Sequence, residues 1–479
     1  MSESKKSSSQ SPLSRRHFLG RASLGLAGLA GSSALPDLFG TDALNRALAA
    51  GKPPNIVIMV PDDTGWKDVS YHGSRINTPN IDRMARQGVE LDQFYAYPVC
   101  SPTRASLLTG RPPTRYGVTT AIAGRSRHAI PKTVITLAEF LRRQGYNTAI
   151  TGKWHLGLRP EVGPRQYGFD YSYGYLHGQI DQFTHLYKIG DPTWHRNDEF
   201  ITEVGHATDL ITDEAIKFIT SIRNKARPFF LYVPFSVPHT PLQEYDMWLN
   251  PYLDVFESRD RQMLAASMTH MDHGIGRILA ALGEEGLEQE TLSIFFSDNG
   301  GSLVREGTER AEPKNYFGHH GPWDELSSND PLRGGKGNLY EGGIRVPAAI
   351  TWPGHLSQRR VDETMVVYDL YPTLAGLIGA TLPPEQMVEG IDVWPALEGK
   401  DIDSDRTIYW RSNRQAAVRK GDWKLIHAGV TLDEGADELF NIAQDPYEKT
   451  DLAKKNPRKL AELRSELKKQ LALDAAEMM

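Results

Sequence analysis

Four strand-like runs constrain the fold of this chain more than any other feature. They are Asn55 to Val60, Tyr146 to Thr151, Pro228 to Phe235 and Leu292 to Ser297. The first, Asn-Ile-Val-Ile-Met-Val, is apolar at consecutive positions, the pattern of a strand buried on both faces of a helix-covered parallel sheet. Segments with helical spacing alternate with these runs: Asn80 to Gly88, Thr136 to Gly145, Asp209 to Ile222 and Ser267 to Glu284. Val89 to Tyr95 reads as a further strand. The alternation predicts an α/β fold, with a large mixed, mostly parallel sheet sandwiched by helices. Each of the four runs ends in a polar cluster: Asp62 and Asp63, Lys153 and His155, His239, and Asp298 and Asn299. In a doubly wound sheet such ends share one edge, and ligands bind there.

The residue types at those ends define a chemistry. Adjacent carboxylates at Asp62 and Asp63 repel each other unless a cation lies between them. With Asp298 and Asn299 they make an oxygen-only set, which suits Ca²⁺, or less well Mg²⁺, rather than Zn²⁺. Lys153, His155, His239 and Arg104 would surround a tetrahedral anion. Singly, a histidine between prolines or a Lys-x-His pair is an ordinary loop feature. Their coincidence at four strand ends argues for a site.

Cys100 is the only cysteine in the chain, which excludes an internal disulfide and a second thiolate for a metal. The residues after it predict a short helix, with Ser101 as cap, Pro102 in the first turn and Gly110 closing the end. Cys100 then sits at the positive end of that helix, near Arg104. The whole stretch, Cys-Ser-Pro-Thr-Arg-Ala-Ser-Leu-Leu-Thr-Gly-Arg, closely resembles the signature of the type I sulfatases. A second stretch, Gly335-Lys336-Gly337 followed by Glu341-Gly342-Gly343-Ile344-Arg345-Val346-Pro347, is similar to another sulfatase signature. Its glycines let backbone approach a ligand and aim Lys336 inward, and it lacks the spacing of a nucleotide-binding loop. Near the C-terminus, Glu438-Leu439-Phe440-Asn441 and the Asp-Pro-Tyr-Glu that follows resemble the closing segment of many sulfatases.

The resemblance runs from about Asn55 to the end of the chain and implies an alkaline-phosphatase-like fold. It implies that a maturation enzyme converts Cys100 to formylglycine, whose hydrate is the nucleophile. Asp62, Asp63, Asp298 and Asn299 would then hold Ca²⁺ together with the side chain at position 100. Arg104 and Lys153 would stabilise the hydrate, and Lys153, His239 and Lys336 would hold the sulfate oxygens. His239 or Lys336 would protonate the leaving oxygen, and His155 would remove the second hydroxyl proton so that sulfate is expelled. The implied activity is sulfate ester hydrolysis, with a sulfated carbohydrate as the expected substrate. Two rivals stand beside it: a phosphodiester or phosphonate monoester hydrolase on the same fold, and a non-catalytic protein that binds sulfated glycans.

Organisation along the chain reads in three parts. Residues 1–50 carry Arg15-Arg16 before a short Gly/Ala/Leu-rich stretch, which looks like a twin-arginine export signal and predicts a periplasmic or extracellular protein. That stretch is too short for a stable membrane span. Residues 51–390 form the expected catalytic domain, including a long polar loop from Gly300 to Asn329 over the site. Residues 391–479 predict a small antiparallel sheet from Thr407, Gln415, Trp423 and Glu438 onward, closed by a helix from about Pro457 to Leu473. Arg411, Asn413 and Arg414 in its first turn are candidate substrate contacts, beside the plainer reading of exposed turn residues. A formal net charge of -6 gives no basic character, so nucleic acid is not an expected partner.

Overall fold

The computed structural model describes residues 52–188, 190–303, 327–402, 405–429 and 431–476. The export segment and most of the Gly300–Asn329 loop therefore lie outside the described residues. In chain order the first strands are β1 (Asn55–Val60), β2 (Val89–Leu91), β3 (Phe94–Tyr95), β4 (Asn147–Lys153), β5 (Tyr171–Tyr175) and β6 (Trp194–Arg196). β7 (Glu199–Phe200), β8 (Phe229–Pro234), β9 (Thr291–Phe296), β10 (Ala348–Thr351), β11 (Arg359–Val361) and β12 (Met365–Val366) follow. Ten of these form one sheet in the order β11-β2-β10-β9-β1-β8-β4-β5-β6-β7. Its centre, β9-β1-β8-β4-β5, is parallel throughout. β10 and β6 enter antiparallel on either side, so the sheet is mixed as the sequence predicts.

The consecutive apolar residues of β1 divide between two cores. Ile56, Ile58 and Val60 pack on one face of the sheet and Val57 and Met59 on the other. Helices α1 (Pro79–Gln87), α2 (Cys100–Thr109), α3 (Leu137–Arg143), α4 (Ala207–Lys217), α5 (Arg259–Glu284) and α6 (Leu370–Leu377) complete the layers. α2, α3 and α6 cover the first face, and α1, α4 and α5 the second. α5 starts eight residues before the predicted Ser267, because Ser258 caps it by accepting a hydrogen bond from the Arg261 amide. The expected strand from Val89 to Tyr95 is two: β2 joins the large sheet and β3 pairs with β12.

The C-terminal part matches its reading closely. β13 (Thr407–Arg411), β14 (Gln415–Lys420), β15 (Trp423–Ala428) and β16 (Ala436–Asn441) form an antiparallel sheet. One face, with Val418, Leu425 and Leu439, packs on Leu463 and Leu467 of α7 (Pro457–Leu471). The opposite face sends Trp410, Ala417 and Phe440 into the main core. Among the described residues no helix is long and apolar enough to cross a membrane.

Candidate active site

Because β1, β4, β8 and β9 are parallel neighbours, their C-terminal ends lie on one edge, and α2 starts there too. Asp62, Asp63, Arg104, Lys153, His155, His239, Asp298 and Asn299 are all buried at this edge. Lys336 joins them from the glycine-rich segment, its amine 2.7 Å from Asp63 Oδ2. The backbone bends sharply to achieve this. Asp63 and His155 take φ values of 72° and 56°, a left-handed region that costs a non-glycine residue energy. At Asp63 the bend turns the backbone N–H toward Asp298 Oδ1, 3.2 Å away, while the carboxylate faces Lys336.

α2 begins at Cys100 itself, two residues before a Ser101-capped helix would, and Val99 rather than Ser101 is the flanking residue. The Ser101 hydroxyl is used elsewhere. It donates to the His155 carbonyl at 2.9 Å and accepts from the Ile122 amide at 3.1 Å, tying the helix start to two loops. Gly110 closes the helix in the left-handed conformation, as expected.

The Cys100 Sγ lies 3.1 Å from His155 Nδ1. His155 Nε2 is 2.9 Å from the Ile122 carbonyl, which can only accept, so Nε2 carries the proton and Nδ1 presents its lone pair to position 100. Burial, with the Lys153 charge adding to it, pushes the His155 pKa well below the usual imidazole value, so the ring is neutral. Arg104 donates to Asp298 Oδ2 at 2.7 Å, to the Lys153 carbonyl at 3.2 Å and to the Tyr232 hydroxyl at 3.4 Å. Its guanidinium thus braces three strand ends from inside α2.

The charges are arranged as alternating pairs. Lys153 Nζ is 2.5 Å from Asp62 Oδ2. Burial works against this ammonium, yet Asp62 and Cys100 outweigh it and raise its pKa. Burial also works against the Asp63 carboxylate, but Lys336 and His239 hold it well below the usual range. Asp298 is pushed up to about 6 by burial and by Asp62, against the pull of Arg104. His239 donates from Nδ1 to the Thr240 carbonyl at 2.6 Å and faces Asp63 with Nε2 at 3.7 Å.

Two observations test whether this set can hold a cation. Asp62 Oδ1 and Asn299 Oδ1 are buried and have no hydrogen-bond partner among the described residues, an arrangement that a metal ion would satisfy. Ligand atoms of Asp62, Cys100 and Asp298, and separately of Asp62, Asp63 and His239, lie within 4.8 Å of one another. The oxygen-rich donor set fits a hard divalent ion.

Candidate substrate contacts in the C-terminal sheet fare differently. Arg411 pairs with Asp474 at 2.9 Å, which ties β13 to the chain after α7. Asn413 accepts from the Thr119 hydroxyl at 3.1 Å, beside the loop that carries Ile122, and Arg414 is exposed. Sequence reasoning did not single out Tyr232, which lies inside an apolar run, or the Ile122 carbonyl, a backbone group that no side-chain pattern reveals.

A parallel sheet edge that combines a buried cysteine at a helix start, clustered carboxylates and two converging lysines has the groups that hydrolysis of an anionic ester calls for. Residues 54–380 match the Sulfatase family and residues 335–477 match "N-sulphoglucosamine sulphohydrolase, C-terminal". The chain belongs to the sulfatase family of the alkaline-phosphatase-like superfamily and is a sulfuric ester hydrolase. It is 35% identical to rat (Rattus norvegicus) N-acetylgalactosamine-6-sulfatase over 403 residues, which cover 79% of this chain and 72% of the relative. It is 32% identical to arylsulfatase A of Bos taurus over 468 residues, 86% of each chain. Among solved structures it is similar to Ps i-CgsB in complex with k-i-k-neocarrahexaose (TM-score 0.79, 32% identity, covering 88% of this chain and 94% of that one). It is also similar to PsFucS1 sulfatase from Pseudoalteromonas sp. (TM-score 0.73, 26% identity, covering 90% and 92%).

Proposed function

We propose that this sulfatase releases inorganic sulfate from a sulfated carbohydrate, using formylglycine formed from Cys100 and a Ca²⁺ ion held by Asp62, Asp63, Asp298, Asn299 and residue 100. The carrying observation is the Cys100–His155 contact, set beside two orphaned buried oxygens and two lysines at one sheet edge. When present, the hydrated aldehyde supplies a nucleophilic oxygen and the cation supplies charge to activate it and to screen the sulfate.

The protein's own groups do the rest. Lys153, Lys336 and His239 bind the non-bridging sulfate oxygens, where negative charge persists through the reaction. Asp62 and Asp63 carry the two lysines here; were these carboxylates to hold a divalent cation, it would supply the countercharge that the ammonium groups now provide, and both would be available to the ester. His239 or Lys336 donates a proton to the leaving oxygen. His155, neutral and with Nδ1 toward position 100, accepts a proton from the side chain there, which lets sulfate leave and the aldehyde re-form. A plain alcohol at that position has no second proton to give.

Carbohydrate is favoured because the relatives named for their substrates include N-acetylgalactosamine-6-sulfatases, and one similar structure is a complex with k-i-k-neocarrahexaose. The Arg15-Arg16 segment supports twin-arginine export to the periplasm or beyond, after maturation of Cys100 by a formylglycine-generating enzyme. The test joins peptide mass spectrometry of the Cys100 segment with sulfate release from 4-nitrophenyl sulfate and a panel of sulfated sugars. The expected result is aldehyde at position 100 and faster release from a sugar than from the aryl ester. Turnover by a preparation with only unmodified thiol contradicts the nucleophile, and turnover confined to the aryl ester contradicts the substrate class.

A further inference from the structure

His177 follows β5 and belongs to no motif that marks the catalytic set, yet it stands beside that set. The neighbouring Gly178 packs against the His155 ring so tightly that an added Cβ would lie 2.5 Å from His155 Cε1. The His177 ring stacks on Tyr187 with centroids 4.4 Å apart. Tyr187 in turn reaches Gly124, in the loop whose Ile122 carbonyl holds His155. Arg125 and Asp191 clasp the same two loops from outside at 2.9 Å.

The tautomer of His177 follows from its partner. Thr193 Oγ1 accepts the Leu176 amide at 3.0 Å and the His177 amide at 3.1 Å, which uses both hydroxyl lone pairs. Its single proton is left for His177 Nδ1, 2.8 Å away. Nδ1 therefore accepts and Nε2 carries the hydrogen. Burial, with His155 nearby, pushes the His177 pKa down to about 4, so the ring stays neutral in ordinary working conditions. Nε2–H has no partner among the described residues, although the residue is only 6% exposed. The ring is packed and tautomer-locked, and its Nε2–H is not sealed from solvent, so this one donor is open to an acceptor that arrives from outside.

We propose that His177 is a specificity-determining residue, whose Nε2–H donates to a hydroxyl or ring oxygen of the sugar next to the sulfated carbon. A neutral donor suits an uncharged oxygen, and it complements the cationic groups that take the sulfate itself. This assignment rests on the carbohydrate reading above.

The experiment compares formylglycine-bearing parent, His177→Phe and His177→Gln on 4-nitrophenyl sulfate and on the best-cleaved member of a panel of sulfated galactose, N-acetylgalactosamine, glucosamine and fucose. Phenylalanine keeps the stack on Tyr187 without a donor, and glutamine can place an N–H near the Nε2 position. Melting temperatures establish that both variants fold. For His177→Phe, kcat/KM on the sugar should fall roughly 10- to 100-fold further than on the aryl ester, which offers no sugar oxygen, with glutamine recovering part of the gap. Equal losses on both substrates, or no loss on the sugar, overturn the assignment while leaving the sulfatase reading intact. A parent that cleaves the aryl ester and none of the sugars overturns the carbohydrate reading and this assignment together.

Discussion

Lys153 and Lys336 each rest on an aspartate, at 2.5 and 2.7 Å, so at the residue scale the site is a set of buried charge pairs. If the lysines stabilise charge on the sulfate group, Lys336→Ala should lower kcat about 10²- to 10³-fold on an aryl sulfate. Steady-state kinetics that show only a higher KM would assign Lys336 to ground-state binding instead. Lys153 was legible in the sequence because it follows a strand-like run, where a polar cluster is conspicuous, and Lys336 because its glycine-rich segment resembles a sulfatase signature. His177 was not legible. Its meaning depends on Thr193, 16 residues away, and on a tautomer that only the folded contact fixes. Ser101 was read as a cap because its spacing allows it, but the fold spends its hydroxyl on His155 and Ile122.

Elements position the site through their ends and through the links between them. The segment after β8 carries His239 and is anchored by Glu244, whose carboxylate lies 2.9 Å from His270 Nδ1 of α5. His270 Nε2 meets Asp209 of α4 at 3.0 Å, and Trp248 stacks on its ring. Burial works against this imidazolium, yet the two carboxylates prevail and raise its pKa to about 9. A folded-state pKa above the unfolded value gives stability that is complete below about pH 6.5 and is lost as pH rises through about 9. Thermal melting across that window should show the decline. His270→Gln should flatten it and cost roughly 3 kcal/mol, since a buried carboxylate loses its partner. A decline of equal slope in the variant would place the pH dependence elsewhere. The large elements themselves were readable from periodicity. The split of Val89–Tyr95 into β2 and β3 was not, because the choice between two sheets is made by β10 and β12 far along the chain.

At the scale of the whole molecule, the C-terminal sheet is built into the catalytic unit rather than appended to it. Lys424 of β15 is fully buried between Glu341, at 2.8 Å, and Glu448, at 2.9 Å. Glu341 follows Lys336 by five residues in the glycine-rich segment, so this ion cluster joins the small sheet to a segment that reaches the site. Lys424→Met leaves two carboxylates buried without their cation and should cost about 3–5 kcal/mol in denaturant unfolding. A loss well under 1 kcal/mol would mean that the cluster relaxes to solvent. The proposed cation site gives a second global readout. Saturating Ca²⁺ at about 100 Kd should stabilise the protein by about 2.7 kcal/mol over the chelated form, and Asp62→Asn should remove most of that gain. The strand-like runs from Thr407, Gln415, Trp423 and Glu438 made this sheet legible, whereas its packing against the main core required Trp410, Ala417 and Phe440 to be seen together.

The claim that position 100 carries the nucleophile is tested most directly by sulfate release from Cys100→Ala beside the parent, both assayed at equal concentration after peptide mass confirms aldehyde in the parent. Turnover by Cys100→Ala should fall about 10⁴-fold or more with an unchanged fold, since removing a nucleophile leaves only binding and electrostatic assistance. Retention of parental turnover by Cys100→Ala would contradict it.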